Sequence, residues 1–301
     1  MRSVILCVGT EKGLAVVRGL ADATHDLRVA VTTFCEQKVV RSYDAEIRDA
    51  AISAGFRFDD FQAWRTRSAA IIREQRADVI LCIGWKYLIP PDTASQVGGN
   101  VIVAHDSLLP RLRGFAPLPT ALISGEKESG VTFLRACEKV DAGPIYWQKR
   151  FTIAPDDTIQ ILIKKTLPLY VEGSRTLLLK ELPEPVQQDE SRATYSIWRD
   201  ESDLAVDWRL SAETICRTIR ALGPPYLGAR TTLRGMHVII RRAEVEEDLQ
   251  FAIRQPGKIW SIDRDGCPVV VCGTGMLKIL QAENEDKTPA LPFESLRQRF
   301  S

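Results

Sequence analysis

One stretch concentrates side chains that could move a proton and hold a ligand: His105-Asp106-Ser107-Leu108-Leu109-Pro110-Arg111-Leu112-Arg113-Gly114-Phe115-Ala116-Pro117. Its histidine directly follows the apolar run Val101–Ala104, and an imidazole titrates close enough to neutrality to serve as general base or acid. The chain has only three histidines, and the other two, His25 and His237, sit in no comparable motif and are expected to be non-catalytic. Taken alone, a single histidine on a loop reads more readily as a structural group. The same holds for Asp141, which in Val140-Asp141-Ala142-Gly143 reads by itself as a turn former. A second loop, Gly84-Trp85-Lys86-Tyr87-Leu88-Ile89-Pro90, follows the apolar run Val79–Ile83, and its aromatic residues either wall a ligand or anchor the loop on the core. Gly9-Thr10-Glu11-Lys12-Gly13 stands where a dinucleotide fingerprint would lie but lacks the G-x-G-x-x-G spacing, so bound NAD is unsupported and a glycine-rich strand-to-helix turn is expected. Lys38–Tyr43 carries charge near the end of another strand and reads equally well as a solvated loop.

These loops need a scaffold, and the surrounding periodicity supplies one. Val4–Val8, Leu27–Thr32, Val79–Ile83 and Val101–Ala104 are apolar nearly throughout, as strands buried on both faces must be, and amphipathic patterns at about 11–22, 45–54 and 66–76 lie between them. This alternation predicts an α/β fold, a Rossmann-like open parallel sheet whose crevice lies at the carboxyl ends of the strands, just after Ile83 and Ala104. Gly130–Arg135 and Ile145–Phe151 read as a further strand pair joined through Asp141-Ala142-Gly143-Pro144, and 158–180 as a long helix. Leu182–Arg192, with Pro, Glu, Gln and Asp, reads as a connector. Beyond a helix at about 211–222, the short runs Ala229–Leu233, His237–Ala243, Lys258–Ile262, Val269–Cys272 and Met276–Leu280 predict a smaller C-terminal antiparallel β-barrel, OB-like. The expected organisation is a catalytic domain over 1–182, a linker over 183–204 and the barrel over 205–301.

Composition narrows the partners. Across 301 residues, 40 Lys and Arg stand against 39 Asp and Glu, which removes the basic surplus that phosphate-backbone binding draws on and argues against nucleic acid. No apolar run reaches the ~18 residues of a membrane span, and the short apolar start is no signal peptide, so a cytoplasmic protein without membrane contact is expected. Seven cysteines without C-x-x-C spacing predict neither a disulfide framework nor a metal cluster.

His105-x-Ser107-Leu108-Leu109-Pro110-x-x-Arg113-Gly114, followed by Gly125-Glu126, Gly130-Val131-Thr132 and Val140-Asp141-Ala142-Gly143, resembles the folate-dependent formyltransferase family. That family includes methionyl-tRNA formyltransferase and the N-formyltransferases of nucleotide-linked amino sugars. The resemblance implies 10-formyltetrahydrofolate as formyl donor, His105 as general base on an attacking amine, and Asp141 as its carboxylate partner. It places Trp85, Lys86, Tyr87, Leu88 and Ile89, with Ser107, Leu108, Leu109 and Pro110, in the folate pocket. Arg113 and Gly114 are expected to shape the loop. Tyr195-Ser196-Ile197-Trp198-Arg199-Asp200-Glu201, Val206-Asp207-Trp208 and Gly223-Pro224-Pro225-Tyr226 resemble the sugar-modifying branch more than the tRNA branch. A nucleotide-linked amino sugar brings a diphosphate, for which Lys12, Arg111 and Lys86 are candidate counter-charges.

The sequence departs from the family at one position. The asparagine that normally stands two residues before the histidine, its amide helping to bind the oxyanion, is Val103 here. Strand alternation turns the nearby Asn100 to the opposite face, a poor substitute. Three outcomes stay open: a compensated formyltransferase, a transferase of altered acyl chemistry, or a catalytically impaired folate or nucleotide-sugar binding protein; a formyltransferase for another amine (tRNA-linked or peptide) is the alternative in acceptor. A homodimer is compatible with all three.

Overall fold

The computed structural model describes residues 1–35, 41–293 and 295–301; the charged run beginning at Lys38 lies in part outside them. Two compact units form: residues 1–117, 128–152 and 162–197, and residues 118–127, 153–161 and 198–301.

The first unit is built on a seven-stranded sheet with the order β3-β2-β1-β4-β5-β7-β8. Strands β1 (Arg2–Val8), β2 (Leu27–Thr32), β3 (Arg57–Asp59), β4 (Val79–Ile83) and β5 (Val101–His105) run parallel. Their connections are α1 (Thr10–Gly19), α2 (Asp44–Ser53), α3 (Phe61–Gln75) and α4 (Pro91–Ser95). A two-residue strand β6 (Arg113–Gly114) follows; α5 (Pro117–Ser124), next in the chain, belongs from Leu118 onward to the second unit. Strands β7 (Glu128–Arg135) and β8 (Ile145–Thr152) are antiparallel and extend the sheet at one edge, making it mixed where a parallel one was expected. A hairpin joins them, which allows antiparallel pairing without a crossover helix. The long helix α6 (Ile159–Leu179) packs Leu169, Tyr170, Leu177 and Leu178 against Val4, Leu6, Val8, Val131 and Phe133. Ile5, Cys7, Ile80, Cys82 and Val101 face the other way, into a core with Trp64, Ile71 and Ile72 of α3. Burial on both faces explains why these strands are apolar without alternation.

The stretch from 182 to 192 lies along this sheet: Val186 and Ile145 exchange both backbone hydrogen bonds, at 2.8 and 2.7 Å. It leads into β9 (Tyr195–Ser196), which pairs parallel with β6.

In the second unit, α7 (Ala212–Leu222) is capped by Ser211, whose hydroxyl accepts from the Thr214 N–H. Its apolar face, Ile215, Cys216, Ile219 and Leu222, packs on a five-stranded antiparallel sheet with the order β10-β11-β14-β13-β12. These strands are β10 (Ala229–Leu233), β11 (Met236–Glu246), β12 (Ile259–Ile262), β13 (Pro268–Val271) and β14 (Met276–Asn284). The last residues bridge the two edges, Arg299 to Lys258 beside β12 and Phe300 to Leu233 in β10, giving the OB-like closure. Phe300 stacks on Trp208 at 5.3 Å, which puts Trp208 in this core.

Candidate functional site

His105 is the last residue of β5, with Ala104 beside Ile83 of β4 and His105 itself beside Thr132 of β7. The side chain is buried, with one ring nitrogen hydrogen-bonded and the other facing a carboxylate. Nε2 lies 2.8 Å from the Leu112 carbonyl, and Nδ1 lies 3.4 Å from Oδ2 of Asp141. A carbonyl only accepts, so the neutral ring carries its proton on Nε2 and leaves the Nδ1 lone pair on the Asp141 side. A proton taken up at Nδ1 would find the carboxylate waiting.

Asp141 is held from two directions. Its Oδ2 accepts the Gly114 N–H at 2.8 Å, and its own carbonyl accepts from Nε2 of Gln188 at 2.8 Å. Gln188 also donates to the Gly143 carbonyl at 2.7 Å, so it pins the hairpin in which Asp141 adopts a left-handed backbone, φ 52°. The Gln188 Oε1 accepts from the Arg113 guanidinium at 2.8 and 3.2 Å. Arg113 is buried and pairs bidentately with Glu190, at 2.6 and 2.9 Å, and this guanidinium holds the Glu190 carboxyl below the usual range. Gly114 is required where it stands: φ is 100°, and a Cβ would lie 2.4 Å from the Ser196 carbonyl oxygen.

The Ser107–Pro110 turn is braced from beneath. Thr132 Oγ1 donates to the Ser107 carbonyl at 2.6 Å and accepts from Gln148 at 2.8 Å. Gln148 also donates to the Leu109 carbonyl at 3.0 Å, and the Ser107 hydroxyl donates to the Arg111 carbonyl at 2.6 Å. The peptide bond Leu109-Pro110 is cis. Between His105 and this turn, Asp106 forms an ion pair with Lys12 and accepts the Tyr170 phenol at 2.7 Å. Burial, and secondarily the Asp106 charge, push the Tyr170 phenol well up, so it stays a donor. Lys12 therefore comes to the site already neutralised by Asp106 rather than as an unpaired counter-charge. Arg111 is half-buried on the rim.

The second predicted loop carries an aromatic wall. Trp85 contacts Phe34, Phe61 and Tyr87 at centroid separations of 5.4, 5.8 and 5.6 Å. Lys86 lies 4.7 Å over the Phe34 ring. Trp85, Tyr87, Leu88 and Pro90 face a groove of about 280 Å³ shared with Phe61, Trp64, Arg65 and Ser68 of α3. The buried Nε1–H of Trp85 has no acceptor among the described residues. Tyr87 and Leu88 are exposed, while Ile89 packs toward the core together with Val103.

Val103 is half-buried, between Cys82 and Leu134 on the neighbouring strands, and offers no hydrogen bond. Asn100 lies at the opposite end of β5, with its amide 3.4 Å from the Asp78 carbonyl, and does not reach the histidine. His25 and His237 are exposed and remote from any such cluster. Among the described residues no group of His, Cys, Asp and Glu could hold a metal ion. Among the described residues, no helix is long and apolar enough to cross a membrane. Sequence reasoning missed Gln188, Glu190 and Gln148, and singled out Thr132 and Gly114 without the bracing contacts they make; the first two sat in a stretch whose composition signals a connector.

Residues 1–173 match the formyl transferase family and residues 200–298 its C-terminal domain. The chain belongs to the formyl transferase family. It is 30% identical over 245 residues to the methionyl-tRNA formyltransferase of Acidithiobacillus ferrooxidans, covering 80% of this chain and 77% of that protein. Among solved structures, an N-formyltransferase from Helicobacter canadensis in complex with folinic acid and dTDP-3-aminofucose shares the fold at TM-score 0.64 and 15% identity, over 93% of this chain and 99% of that one. HypX from Aquifex aeolicus, solved with tetrahydrofolic acid, shares it at TM-score 0.62 and 18% identity, over 97% of this chain and 46% of that one. The family assignment agrees with the resemblance carried by the His105-x-Ser-Leu-Leu-Pro motif, and the protein is a folate-dependent formyltransferase.

Proposed function

We propose that this formyltransferase moves the formyl group of 10-formyltetrahydrofolate to a primary amine of a nucleotide-linked amino sugar, with His105 as general base and Asp141 as its partner. The observation that carries the reading is the buried His105–Asp141 pair, 3.4 Å apart at the carboxyl end of β5, in a chain of this family. The groove beside Trp85 fits the donor on its own chemistry: an apolar wall suits a planar heterocycle, and the indole N–H, which meets no acceptor among the described residues, suits a ring acceptor. Trp85, Lys86, Tyr87, Leu88 and Ile89, with the Ser107–Pro110 turn, would hold it. Bound there, the donor supplies a formyl carbon on nitrogen that an amine can attack.

Each residue's part follows from its contacts. Nδ1 of His105 takes the proton that the amine must lose as its nitrogen bonds to the formyl carbon. Asp141 balances the charge gained, and the Leu112 carbonyl keeps the ring from turning. When the bond between the formyl carbon and the donor nitrogen breaks, the proton at Nδ1 is the one that nitrogen needs. Gly114 and Gln188 hold Asp141 in place for both halves of the exchange.

Charge favours the sugar acceptor. The total is balanced, and in the second unit Arg209, Arg217, Arg241, Arg254 and Lys278 each lie within 3.8 Å of a carboxylate, leaving these cations little surplus for an RNA backbone. A second reading, aminoacyl-tRNA as acceptor, is favoured by relatives such as the Acidithiobacillus enzyme. Calorimetric titration with 5-formyltetrahydrofolate tests the donor half without knowing the acceptor. Saturable one-to-one binding weakened by Trp85→Ala is expected; no binding at millimolar ligand would remove the folate reading.

A further inference from the structure

The ribbon whose Gly114 N–H holds Asp141 leaves three large apolar side chains in solvent: Phe115, Tyr195 and Ile197 are 59, 69 and 74% exposed. Single exposed apolar residues are ordinary, but three on one short ribbon beside a buried titratable pair are not. The β6/β9 register pairs Arg113 with Tyr195 and Gly114 with Ser196, so Phe115 and Ile197 stand next to each other beyond it. Ser196, between the two exposed residues, is buried. The ribbon is stiff: Arg113 N–H donates to the Thr194 carbonyl at 2.9 Å, and Phe115 N–H to the Ser196 carbonyl at 2.8 Å. The Tyr195 phenol interacts with the Arg113 guanidinium, which is itself locked by Gln188 and Glu190, so the ring is tethered at its tip while its face stays open. The ribbon is also joined to the chemistry, because Phe115 directly follows the Gly114 whose N–H holds Asp141.

We propose that Tyr195, Phe115 and Ile197 form the acceptor platform, on which the base of a nucleotide-linked substrate stacks while its amine reaches His105. The proposal rests on the nucleotide-linked reading above and adds where the base is held. A flat ring with polar edges matches one tethered aromatic face flanked by two apolar side chains, and a fixed platform loses little entropy when the base arrives.

The test is calorimetric titration of the full chain with dTDP, UDP, GDP and ADP, with pyrophosphate and 5-formyltetrahydrofolate as controls. Wild type is expected to bind at least one nucleotide, and Tyr195→Ala to weaken it roughly 5- to 150-fold, the range of base–aromatic stacking, with Phe115→Ala acting in the same direction. Tyr195→Phe, which keeps the ring and loses the tether, should restore most of that loss. Affinity for pyrophosphate and 5-formyltetrahydrofolate should not move. Nucleotide binding that is unchanged in both alanine variants would overturn the platform while leaving a nucleotide-linked acceptor standing. An equal loss of 5-formyltetrahydrofolate affinity would also overturn it, since the ribbon would then act on the fold. Failure of wild type to bind any nucleotide, with 5-formyltetrahydrofolate bound, would overturn both.

Discussion

Replacing Asp141 with Asn keeps the shape of the side chain and removes the charge facing His105. The two groups are 3.4 Å apart, with 8 and 13% of their side-chain surface exposed. At an effective dielectric of about 20, unit charges at that separation attract by about 5 kcal/mol, before any allowance for local relaxation. Half to all of that, lost only when His105 is charged, corresponds to roughly 10²- to 10⁴-fold in rate, the span expected for general acid–base groups. The oxygen that faces Nδ1 also accepts the Gly114 N–H, so an Asn either keeps a neutral oxygen there or, with its NH₂ turned to Nδ1, leaves the Gly114 N–H without its acceptor. Initial rates of formyl transfer give kcat, while thermal unfolding and 5-formyltetrahydrofolate titration establish that fold and donor pocket are intact. A kcat within threefold of wild type, with both controls unchanged, would refute the assigned role.

Restoring the missing amide with Val103→Asn should raise kcat, by up to roughly 100- to 1000-fold if no other group binds the oxyanion, and unchanged turnover in the folded variant would show that the protein already supplies a donor. Gly114→Ala should lower kcat and the melting temperature together, because its Cβ would meet the Ser196 carbonyl at 2.4 Å and push away the N–H that holds Asp141; a crystal structure with β6 undisturbed would contradict this. Gln188→Ala leaves two carbonyls and the Arg113 guanidinium short of a partner, so denaturant unfolding should show a loss of roughly 1–3 kcal/mol, accompanied by a lower kcat. Arg113 depresses the Glu190 pKa, so the pair stabilises the fold above the ordinary glutamate range and that contribution fades as pH falls through the lowered value. Unfolding curves of wild type and Glu190→Gln should therefore differ at pH 7 and converge in acid; a gap independent of pH would contradict the ion pair.

Much of this architecture is written locally. Val4–Val8, Leu27–Thr32 and Val79–Ile83 end within a residue of the observed strands because burial on both faces demands unbroken apolar runs. Arg57–Asp59 gives no such signal: three residues with charge at both ends become a strand only because Thr32 and its neighbours in β2 offer a free edge. β6 and β9 are two residues each and exist through pairing across 82 positions, beyond any local pattern. The site divides in the same way. His105 and Asp141 were legible from motif order, whereas Gln188 and Glu190 lay in a Pro- and Glu-containing stretch whose composition says nothing of the contacts it makes. Lys12 shows the opposite failure: its charge was visible in the sequence, but its partner Asp106, 94 residues on, was not.

The most direct measurement follows transfer of labelled formyl from 10-formyltetrahydrofolate to nucleotide-linked amino sugars, and in parallel to methionyl-tRNA, by wild type and His105→Ala. The expected result is formylated sugar nucleotide with wild type, its rate reduced at least 100-fold by the substitution, and little product on the tRNA. Equal rates for the two proteins, or efficient transfer to the tRNA alone, would contradict the account.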